Sequence, residues 1–319
     1  MRPSRRCAQL VLCLIAVMSA HGTQLRLDPG VAEALHAIIQ QEGQERQASA
    51  GPVSYVVTPA QYDQGRLLHM AEYFGLDDGA RSVARNGGVY IRSGDHELRV
   101  GYNPRQGKYS YASRRIQRLP LVDTSEYART ALLSRAKTIL DGLVTDASVQ
   151  YRLANRETEW YQTKTDTTPR IHSVGFRFTR FLGERHVLGN VACCTITFAG
   201  NQEVASVELT DCQIAPKPVT RIVMAKEAMH RLEKYVEACA QRAADKHLVP
   251  LLEVAATKCL RTYSAHKMQG QTLLVPNISF VCEYDFGDGH PVSKFVNFSL
   301  DASVAEDIVP RMLEDKLVE

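Results

Sequence analysis

The sequence lacks the short motifs by which common enzyme classes are recognised. It holds no Gly-x-Ser-x-Gly elbow, no Walker phosphate loop and no dinucleotide-binding glycine pattern. The usual signatures of serine hydrolases and nucleotide-dependent enzymes are therefore absent. A catalytic site assembled from distant positions leaves no such motif, so a secreted hydrolase with a dispersed site stays open as an alternative. On balance the sequence favours a non-catalytic protein.

The chain also lacks an excess of charge once its first residues are set aside. It contains 38 basic and 35 acidic residues, and residues 1–22 carry three arginines and no acid, which leaves 35 of each. A neutral chain gives no electrostatic reason to expect nucleic acid or an anionic membrane as partner. No later segment approaches the roughly 20 consecutive apolar residues of a membrane helix, so we expect no stable membrane insertion after processing.

The first residues have the layout of a secretory signal peptide. Three arginines within the first six positions precede an uncharged apolar stretch, residues 7–20, which is too short to cross a bilayer as a helix. Small residues predict cleavage after Gly22, with Ala20 as the alternative. We therefore expect an exported protein, secreted or periplasmic.

The length after cleavage, about 295 residues, favours two domains over one, because single cores rarely keep growing at that size. The pattern of helices, strands and polar stretches sets the boundaries. We predict a signal peptide (residues 1–22), an N-terminal helix and linker (23–52), an N-terminal α+β domain (53–145) and a C-terminal α+β domain with six cysteines (146–319).

Capping and apolar periodicity predict the helices. A first helix begins at Asp28-Pro29 and ends near Gly43, followed by a polar linker. A capping box at residues 58–61, with proline at the first helical position, opens a second helix that ends at Gly75. A third begins at Asp123 and carries apolar residues on one face: Ala128, Leu132, Ala136, Ile139 and Leu143.

Further helices are expected in the C-terminal half. A long one spans residues 221–244, and a shorter helical segment follows Pro250 and reaches about Leu260. A final amphipathic helix begins near Ser303.

Strand signals fill most of the remaining chain. Residues 88–92, 97–102 and 108–112 alternate in polarity and are separated by turn residues, which predicts an antiparallel meander. The pattern is again β over residues 149–209, and it resumes in three later runs: residues 261–267, 273–286 and 292–300.

The order of elements resembles the PepSY-like group of extracytoplasmic domains. Small and apolar residues carry the resemblance: Ala225, Ala228 and Leu232 on a helix, Tyr263 and Leu274-Val275-Pro276 on strands, and Leu300-Asp301-Ala302 after a hairpin, with Ala131 and Ala136 on the helix of a less clear first unit. The resemblance covers mainly residues 123–302. It implies a helix packed on an antiparallel sheet, often repeated, and a binding or regulatory module that acts on an exported peptidase or a sensor kinase.

These observations together predict an α+β fold. Helices would pack on antiparallel β-sheets, with repeated helix-plus-sheet units of PepSY-like or cystatin-like type as one reading.

Six cysteines remain after removal of the signal peptide: Cys193, Cys194, Cys212, Cys239, Cys259 and Cys282. An even number confined to one half of an exported chain favours disulfide bonds. Cys239 and Cys259, both expected on helices, form one plausible pair. Cys193 and Cys194 alternate on a strand and need different partners, with Cys212 available for one and Cys282 for the other.

The cysteine spacing argues against metal and redox chemistry. Zinc sites use cysteines two to four residues apart or a Cys/His mixture, and redox sites use Cys-x-x-Cys; neither pattern occurs. The Asp285 to His290 cluster is typical of a solvated hairpin tip rather than a calcium loop. His96-Glu97 is typical of an exposed strand start. We expect no cofactor and no metal.

Three functional hypotheses follow. The first is an exported binding or regulatory protein that recognises a peptide or protein partner through a sheet face or edge. The second is an inhibitor of an exported peptidase, built on a rigid disulfide-bonded scaffold. The third is the secreted hydrolase, which predicts a deep pocket that holds ionisable groups with shifted pKa values.

Overall fold

The chain divides into two compact units in a computed structural model. Unit 1 combines Met1–Tyr55 with Pro216–Glu319, and unit 2 is the continuous segment Val56–Ala215. The boundary expected at residues 145–146 therefore falls inside unit 2. The structure describes residues 17–18, 23–47, 53–76, 79–84, 87–115, 122–123, 125–144, 146, 149–161, 170–219, 222–245, 251–268, 270–287 and 291–304. Most of the predicted signal peptide lies outside these residues.

Strands dominate the described residues. In chain order the strands are β1 Val17–Met18, β2 Gln24–Leu27, β3 Val53–Pro59, β4 Ala80–Val83, β5 Val89–Arg92, β6 Leu98–Asn103, β7 Lys108–Ser113, β8 Gln150–Tyr161, β9 Arg170–Leu182, β10 Arg185–Val187, β11 Cys193–Phe198, β12 Val204–Thr210, β13 Cys212–Pro218, β14 Glu253–Met268, β15 Gln271–Asp285 and β16 Val292–Ser299. The α-helices are α1 Pro29–Gln47, α2 Gln64–Tyr73, α3 Glu126–Leu143 and α4 Ala228–Asp245. None of the helices described is long and apolar enough to cross a membrane.

The expected fold class, an α+β protein of repeated PepSY-like or cystatin-like helix-plus-sheet units, is wrong. The described chain is a largely β fold with mixed strand pairing and only four α-helices. Long strands account for the difference, because β14 and β15 run for 16 and 15 residues. The β14–β15 ladder includes the segment up to Leu260 that was predicted to be helical.

Unit 1 contains a four-strand path in the order β2, β14, β15, β16. The pairs β14–β15 and β15–β16 are antiparallel, whereas β2 runs parallel to β14. Alternate residues of β15 project to one side of the sheet. There they form a core with apolar side chains of α1 and α4, which includes Val31, Leu35, Leu232, Val236, Ile278, Phe280, Tyr284 and Phe298.

Two helix predictions fail in unit 1. The segment expected to be helical up to Leu260 is the first half of β14, where Glu253 to Cys259 face residues of β15 across an antiparallel register. Strand pairing satisfies the backbone of this Val- and Ala-containing segment along its whole length, which a short helix does not. The first helix does not end near Gly43 but continues to Gln47. The final helix expected near Ser303 lies mainly outside the described residues.

Unit 2 is built on an antiparallel sheet. Its strands pair in the order β8, β9, β11, β12, β7, β6, β5, β4, and each of these pairs is antiparallel. The predicted meander is confirmed as β5, β6 and β7. α2 and α3 add their apolar faces to the core of this unit, which includes Leu67, Met70, Leu132, Ile139, Phe176, Phe178, Ile196 and Val207.

The predicted capping box at Thr58 is wrong. Thr58 and Pro59 belong to β3, and α2 begins five residues later than Pro59, at Gln64. The cap is Asp63, whose Oδ1 accepts hydrogen bonds from the backbone N–H groups of Gly65 at 2.8 Å and Arg66 at 3.2 Å. β-branched residues before Thr58 favour an extended strand. This strand includes Thr58 and Pro59, so the helix cannot begin there.

The apolar face predicted for the third helix is confirmed. Ala128, Leu132, Ala136, Ile139 and Leu143 are all buried in α3. The cap is Ser125 rather than Asp123: Ser125 Oγ accepts from the Ala128 backbone N–H at 3.3 Å, and Asp123 accepts from the Ser125 backbone N–H.

Candidate functional site

An open cleft of about 680 Å³ lies in unit 2. Its walls come from the first turns of α2, the segment after α3, neighbouring positions of β8 and β9, and the link between β12 and β13. The side chains that define its chemistry are Arg66, His69, Asp146, Tyr151, Arg180, Asp211 and Cys212. We call it the unit 2 cleft.

α2 presents Arg66 and His69 to the cleft. The two residues are three positions apart, so they lie on the same side of the helix. The Asp63 cap fixes the start of the helix. At the other end of the pair, His69 Nε2 lies 2.7 Å from the carbonyl oxygen of Gly142. Because a carbonyl can only accept, His69 Nε2 is the protonated nitrogen and donates a hydrogen bond to the Gly142 carbonyl of α3.

Arg66 forms an ion pair with Asp211. The Arg66 guanidinium donates to Asp211 Oδ2, and it lies 5.1 Å from the centroid of the Tyr109 ring. The other carboxylate oxygen, Asp211 Oδ1, accepts from the Cys212 backbone N–H at 2.8 Å. Both charges are thus held by fixed partners at the wall of the cleft.

A glycine turn fixes the backbone of Asp211. Gly107 has a φ of +59°, and a Cβ at this position would stand 2.7 Å from Asp211 O and from Ala60 N. The Asp211 N–H donates to Gly107 O, and the Ala60 N–H donates to Asp211 O, each at 3.1 Å. Only glycine allows both the left-handed conformation and this close approach of three backbone segments.

Arg180 contributes a cation of a different kind. It stands directly opposite Tyr151 in the β8–β9 pair. Its Nη1 lies 3.4 Å from the Cys212 carbonyl oxygen. Its Nε is buried and has no hydrogen-bond acceptor among the described residues. No described carboxylate forms an ion pair with the Arg180 side chain. A buried N–H without an acceptor costs about 1–3 kcal/mol, so this atom marks a place where an acceptor is favoured.

Two weak acids complete the cleft. Burial raises the pKa of the Tyr151 phenol strongly, and the Asp211 charge adds to the effect. Burial also raises the pKa of the Cys212 thiol to about 11. Both groups are therefore protonated at neutral pH. They are suited to donating a hydrogen bond and not to nucleophilic attack.

The structure places the six candidate cysteines in two groups, and all six are free and buried. Cys193, Cys194 and Cys212 belong to unit 2, and only Cys212 lines the cleft. Cys239, Cys259 and Cys282 belong to the core of unit 1.

The geometry changes the expected pairing. Cys259 lies on strand β14, so the staple with Cys239 would join a helix to a sheet and not two helices. Cys282 lies close enough to Cys239 and Cys259 for the charge of either to raise its pKa, after the larger effect of burial. The disulfide prediction stays a prediction, and alkylation of the unfolded protein with and without reductant counts any bridges.

The other motifs noted in the sequence lie apart from the cleft. Asp285 Oδ1 accepts from the Gly287 N–H at 2.8 Å at the end of β15, and the rest of that turn, residues 288–290, lies outside the described residues. His96 is exposed just before β6. Among the described residues, no group of three or more His, Cys, Asp or Glu side chains could hold a metal ion.

Sequence reasoning missed the cleft residues. Arg66, Arg180 and Asp211 are separated by more than one hundred positions at the extremes and belong to no motif. One signal was present: the turn residues around Gly107, but nothing in the sequence linked them to Asp211.

The comparisons with known proteins add no function. No family model matches the chain, and no curated protein matches its sequence. Among solved structures, a chain described as an uncharacterized protein from Eubacterium rectale is similar, at 8% identity and a TM-score of 0.41, over 79% of this chain and 84% of that chain. A likeness of this size carries no argument about fold or activity, so the PepSY-like resemblance stays a prediction.

Proposed function

We propose that this chain is an exported, non-catalytic binding protein whose unit 2 cleft takes the carboxylate end of a peptide. The N-terminal layout supports export to a secreted or periplasmic location, and the PepSY-like resemblance also implies a binding module. The observation that carries the proposal is the buried Nε–H of Arg180, which faces no acceptor among the described residues.

A carboxylate meets the requirement of this arginine. The guanidinium presents its Nε–H and Nη–H groups as a planar fork, and a carboxylate accepts both in parallel. Arg66 is already engaged by Asp211, so Arg180 is the cleft arginine left for a ligand. Tyr151 stands opposite Arg180 and keeps its proton, so its hydroxyl can donate a hydrogen bond to the second oxygen of the ligand carboxylate.

The rest of a peptide has partners too. Asp211 accepts one hydrogen bond on each oxygen from the chain, and an ionised carboxylate has about four acceptor positions. It can therefore accept a backbone N–H of the ligand. The volume of about 680 Å³ lies within the range of about 300–1,000 Å³ of small-ligand sites, which suits a peptide end of a few residues.

The test compares free and amidated peptides on the full chain. A pooled library of random hexapeptides with free carboxyl ends, and the same library with amidated ends, is titrated by isothermal calorimetry. We expect binding of the free library only. The Arg180→Lys variant keeps the charge but loses the planar fork, and we expect it to weaken binding about tenfold or more, as for loss of a charge-assisted hydrogen bond.

Two controls separate recognition from damage to the fold. Arg152→Lys changes an exposed arginine of β8 whose guanidinium lies over the Phe181 ring, and it should bind as the unmodified chain does. Tyr151→Phe removes a single hydroxyl and should reduce affinity with little effect on the melting temperature. Equal binding of free and amidated peptides would overturn carboxylate recognition, and no binding of either library would overturn the peptide proposal.

The hydrolase alternative has one observation in its favour, namely a cleft with ionisable groups whose pKa values are shifted. Both shifts at Tyr151 and Cys212 favour the protonated form, which works against a nucleophile at neutral pH. Incubation of the free library with the chain, followed by mass spectrometry, tests this candidate directly. Cleavage that disappears in Cys212→Ala would replace the binding proposal with the hydrolase.

A further inference from the structure

Three arginines border one small recess on the meander of unit 2. Arg92 ends β5, Arg99 lies near the start of β6, and Arg114 follows β7. All three residues are exposed. They line a recess of about 110 Å³, which we call the arginine recess.

The strand register forces two of these charges together. Arg92 is the direct partner of Arg99 in the antiparallel β5–β6 pair. Side chains at partner positions project from the same face of a sheet, and like charges directly opposite each other are destabilising. The arrangement is unfavourable for the sheet alone and becomes favourable when an anion lies between the guanidinium groups.

The chain itself does not supply that anion from its described residues. None of their carboxylates forms an ion pair with Arg92, Arg99 or Arg114. His96 and Glu97 also line the recess, and the Glu97 carboxylate accepts from Arg115 Nε at 3.1 Å. Arg115 donates in addition to Asp95 at 2.9 Å. A fourth arginine therefore engages both of these acids.

The position of Arg99 is prepared by its neighbours. Its guanidinium lies 5.4 Å from the centroid of the Tyr90 ring. Tyr90 is the partner of Gly101, and its ring occupies the space that a Cβ on Gly101 would need. The glycine thus lets the ring lie flat on the strand, where it supports the arginine by a cation–π contact.

We propose that the arginine recess binds a tetrahedral oxyanion, a phosphate or sulfate group. Three guanidinium groups carry three positive charges against the single charge of Glu97, which favours a dianion over a carboxylate. Arg92 and Arg99 lie on two neighbouring strands and Arg114 follows the third, so the three reach the anion from separate backbone positions, and a tetrahedral group offers an oxygen to each. The small volume restricts the site to one such group.

Calorimetry on the full chain tests the proposal with two probes, inorganic sulfate and phenyl phosphate, at constant ionic strength. We expect both to bind. Arg92→Gln and Arg99→Gln should each weaken binding about tenfold or more, because each removes a charge-assisted hydrogen bond. Arg105→Gln, at an exposed position in the turn between β6 and β7, is the matched control and should leave the affinity unchanged.

The pH dependence separates the two sources of the anion. A phosphate monoester gains its second charge near pH 6, whereas sulfate is a dianion throughout. Stronger binding of phenyl phosphate than sulfate at pH 8, lost at pH 5, assigns the recess to phosphate esters. A preference for sulfate at both pH values assigns it to sulfates, and either result supports the oxyanion site.

Thermal unfolding gives a second readout that does not require the variants to bind. Sulfate should raise the melting temperature of the unmodified chain relative to chloride at equal ionic strength, because a ligand of the folded state stabilises it. In Arg92→Gln this rise should shrink, while the melting temperature in chloride increases. Equal affinity for both probes in Arg92→Gln, Arg99→Gln and the unmodified chain, or no binding at all, would overturn the proposal. Arg180→Lys should leave oxyanion binding intact, so the two binding proposals fail independently.

Discussion

Tyr235 of α4 and Tyr284 of β15 share a hydrogen bond of 2.8 Å between their hydroxyl oxygens in the core of unit 1. Both side chains are buried, and burial is the main cause of a strongly raised pKa in each. Tyr235 also shares a hydrogen bond with the Cys239 thiol, so loss of the Tyr235 hydroxyl removes the partner that Tyr284 has where water is excluded. This pair ties a helix to the strand beneath it.

We expect Tyr235→Phe to lower the free energy of unfolding by about 1–3 kcal/mol, because it leaves the Tyr284 hydroxyl buried without this partner. The double variant Tyr235→Phe/Tyr284→Phe should lose less than the sum of the single variants, since neither hydroxyl is then left behind. Urea denaturation measures all three. Tyr127→Phe, at a residue 87% exposed, should be neutral. Additive losses in the double variant would contradict the pairing.

Two helical glycines should respond to alanine in opposite ways. A Cβ at Gly142 of α3 would stand 2.5 Å from Tyr73 Cε2, whereas a Cβ at Gly43 of α1 would meet nothing within 4 Å. Gly43→Ala should stabilise the protein by about 0.5–1 kcal/mol through helix propensity. Gly142→Ala should destabilise it by up to about 1 kcal/mol, because the exposed Tyr73 ring must move aside and loses packing against α3. Thermal unfolding compares them, and a gain in both would show that α2 and α3 do not meet closely at Tyr73.

Substitutions at the start of α2 distinguish the cap predicted from the sequence, Thr58, from the cap in the structure, Asp63. Asp63→Ala should cost about 0.5–2 kcal/mol, because two backbone N–H groups lose their acceptor. Thr58→Ala should cost less than about 0.5 kcal/mol, since Thr58 is an exposed strand residue. Asp63→Asn should restore most of the loss. A larger loss of stability in Thr58→Ala than in Asp63→Ala would contradict Asp63 as the cap and support a helix that begins at Thr58.

The buried thiols of unit 1 predict a loss of stability at alkaline pH. Burial raises the pKa of Cys239, Cys259 and Cys282 to about 12 in the folded chain, above the ordinary 9.0. Between these values the unfolded chain has released the thiol protons and the folded chain has kept them, so the free energy of unfolding falls as pH rises from about 9 to 12. Each thiol adds up to about 1.4 kcal/mol per pH unit to this slope.

Denaturation under reducing conditions at pH 8, 9 and 10 measures the slope. Cys282→Ala should lower the overall stability and flatten the profile. Ile278→Val, a smaller core change on the same strand, should lower stability and leave the slope unchanged. Parallel profiles for Cys282→Ala and the unmodified chain would mean that this thiol ionises normally when buried.

Local sequence patterns predicted some elements well and failed at others for identifiable reasons. The meander and the buried face of α3 follow from alternation and helical periodicity alone. The helix expected up to Leu260 was wrong. A short apolar run is compatible with both helical and strand periodicity, and here pairing with β15 along the whole of β14 determines that it is a strand. Thr58 failed as a cap for a similar reason, since a capping motif also occurs within strands.

The candidate sites were beyond local patterns. The unit 2 cleft brings together Arg66, Arg180 and Asp211 through the pairing of strands far apart in the chain. Such pairings depend on register, which no single segment encodes. Arg92 and Arg99 are close in sequence, and a hairpin register drawn from the predicted meander would have placed them opposite each other. The near-equal counts of basic and acidic residues over the whole chain do not reflect this local cluster.

The division of unit 1 between the two ends of the chain affects the order in which the protein can fold. Thr23 Oγ1 donates to Leu251 O at 2.7 Å across 228 residues, beside the parallel pairing of β2 with β14. All of unit 2 is therefore synthesised after β2 and before β14, the parallel partner of β2. β2 must therefore wait for its parallel partner β14 through most of the synthesis time. Keeping β2 from pairing elsewhere until β14 has been made is the demand that this topology places on folding.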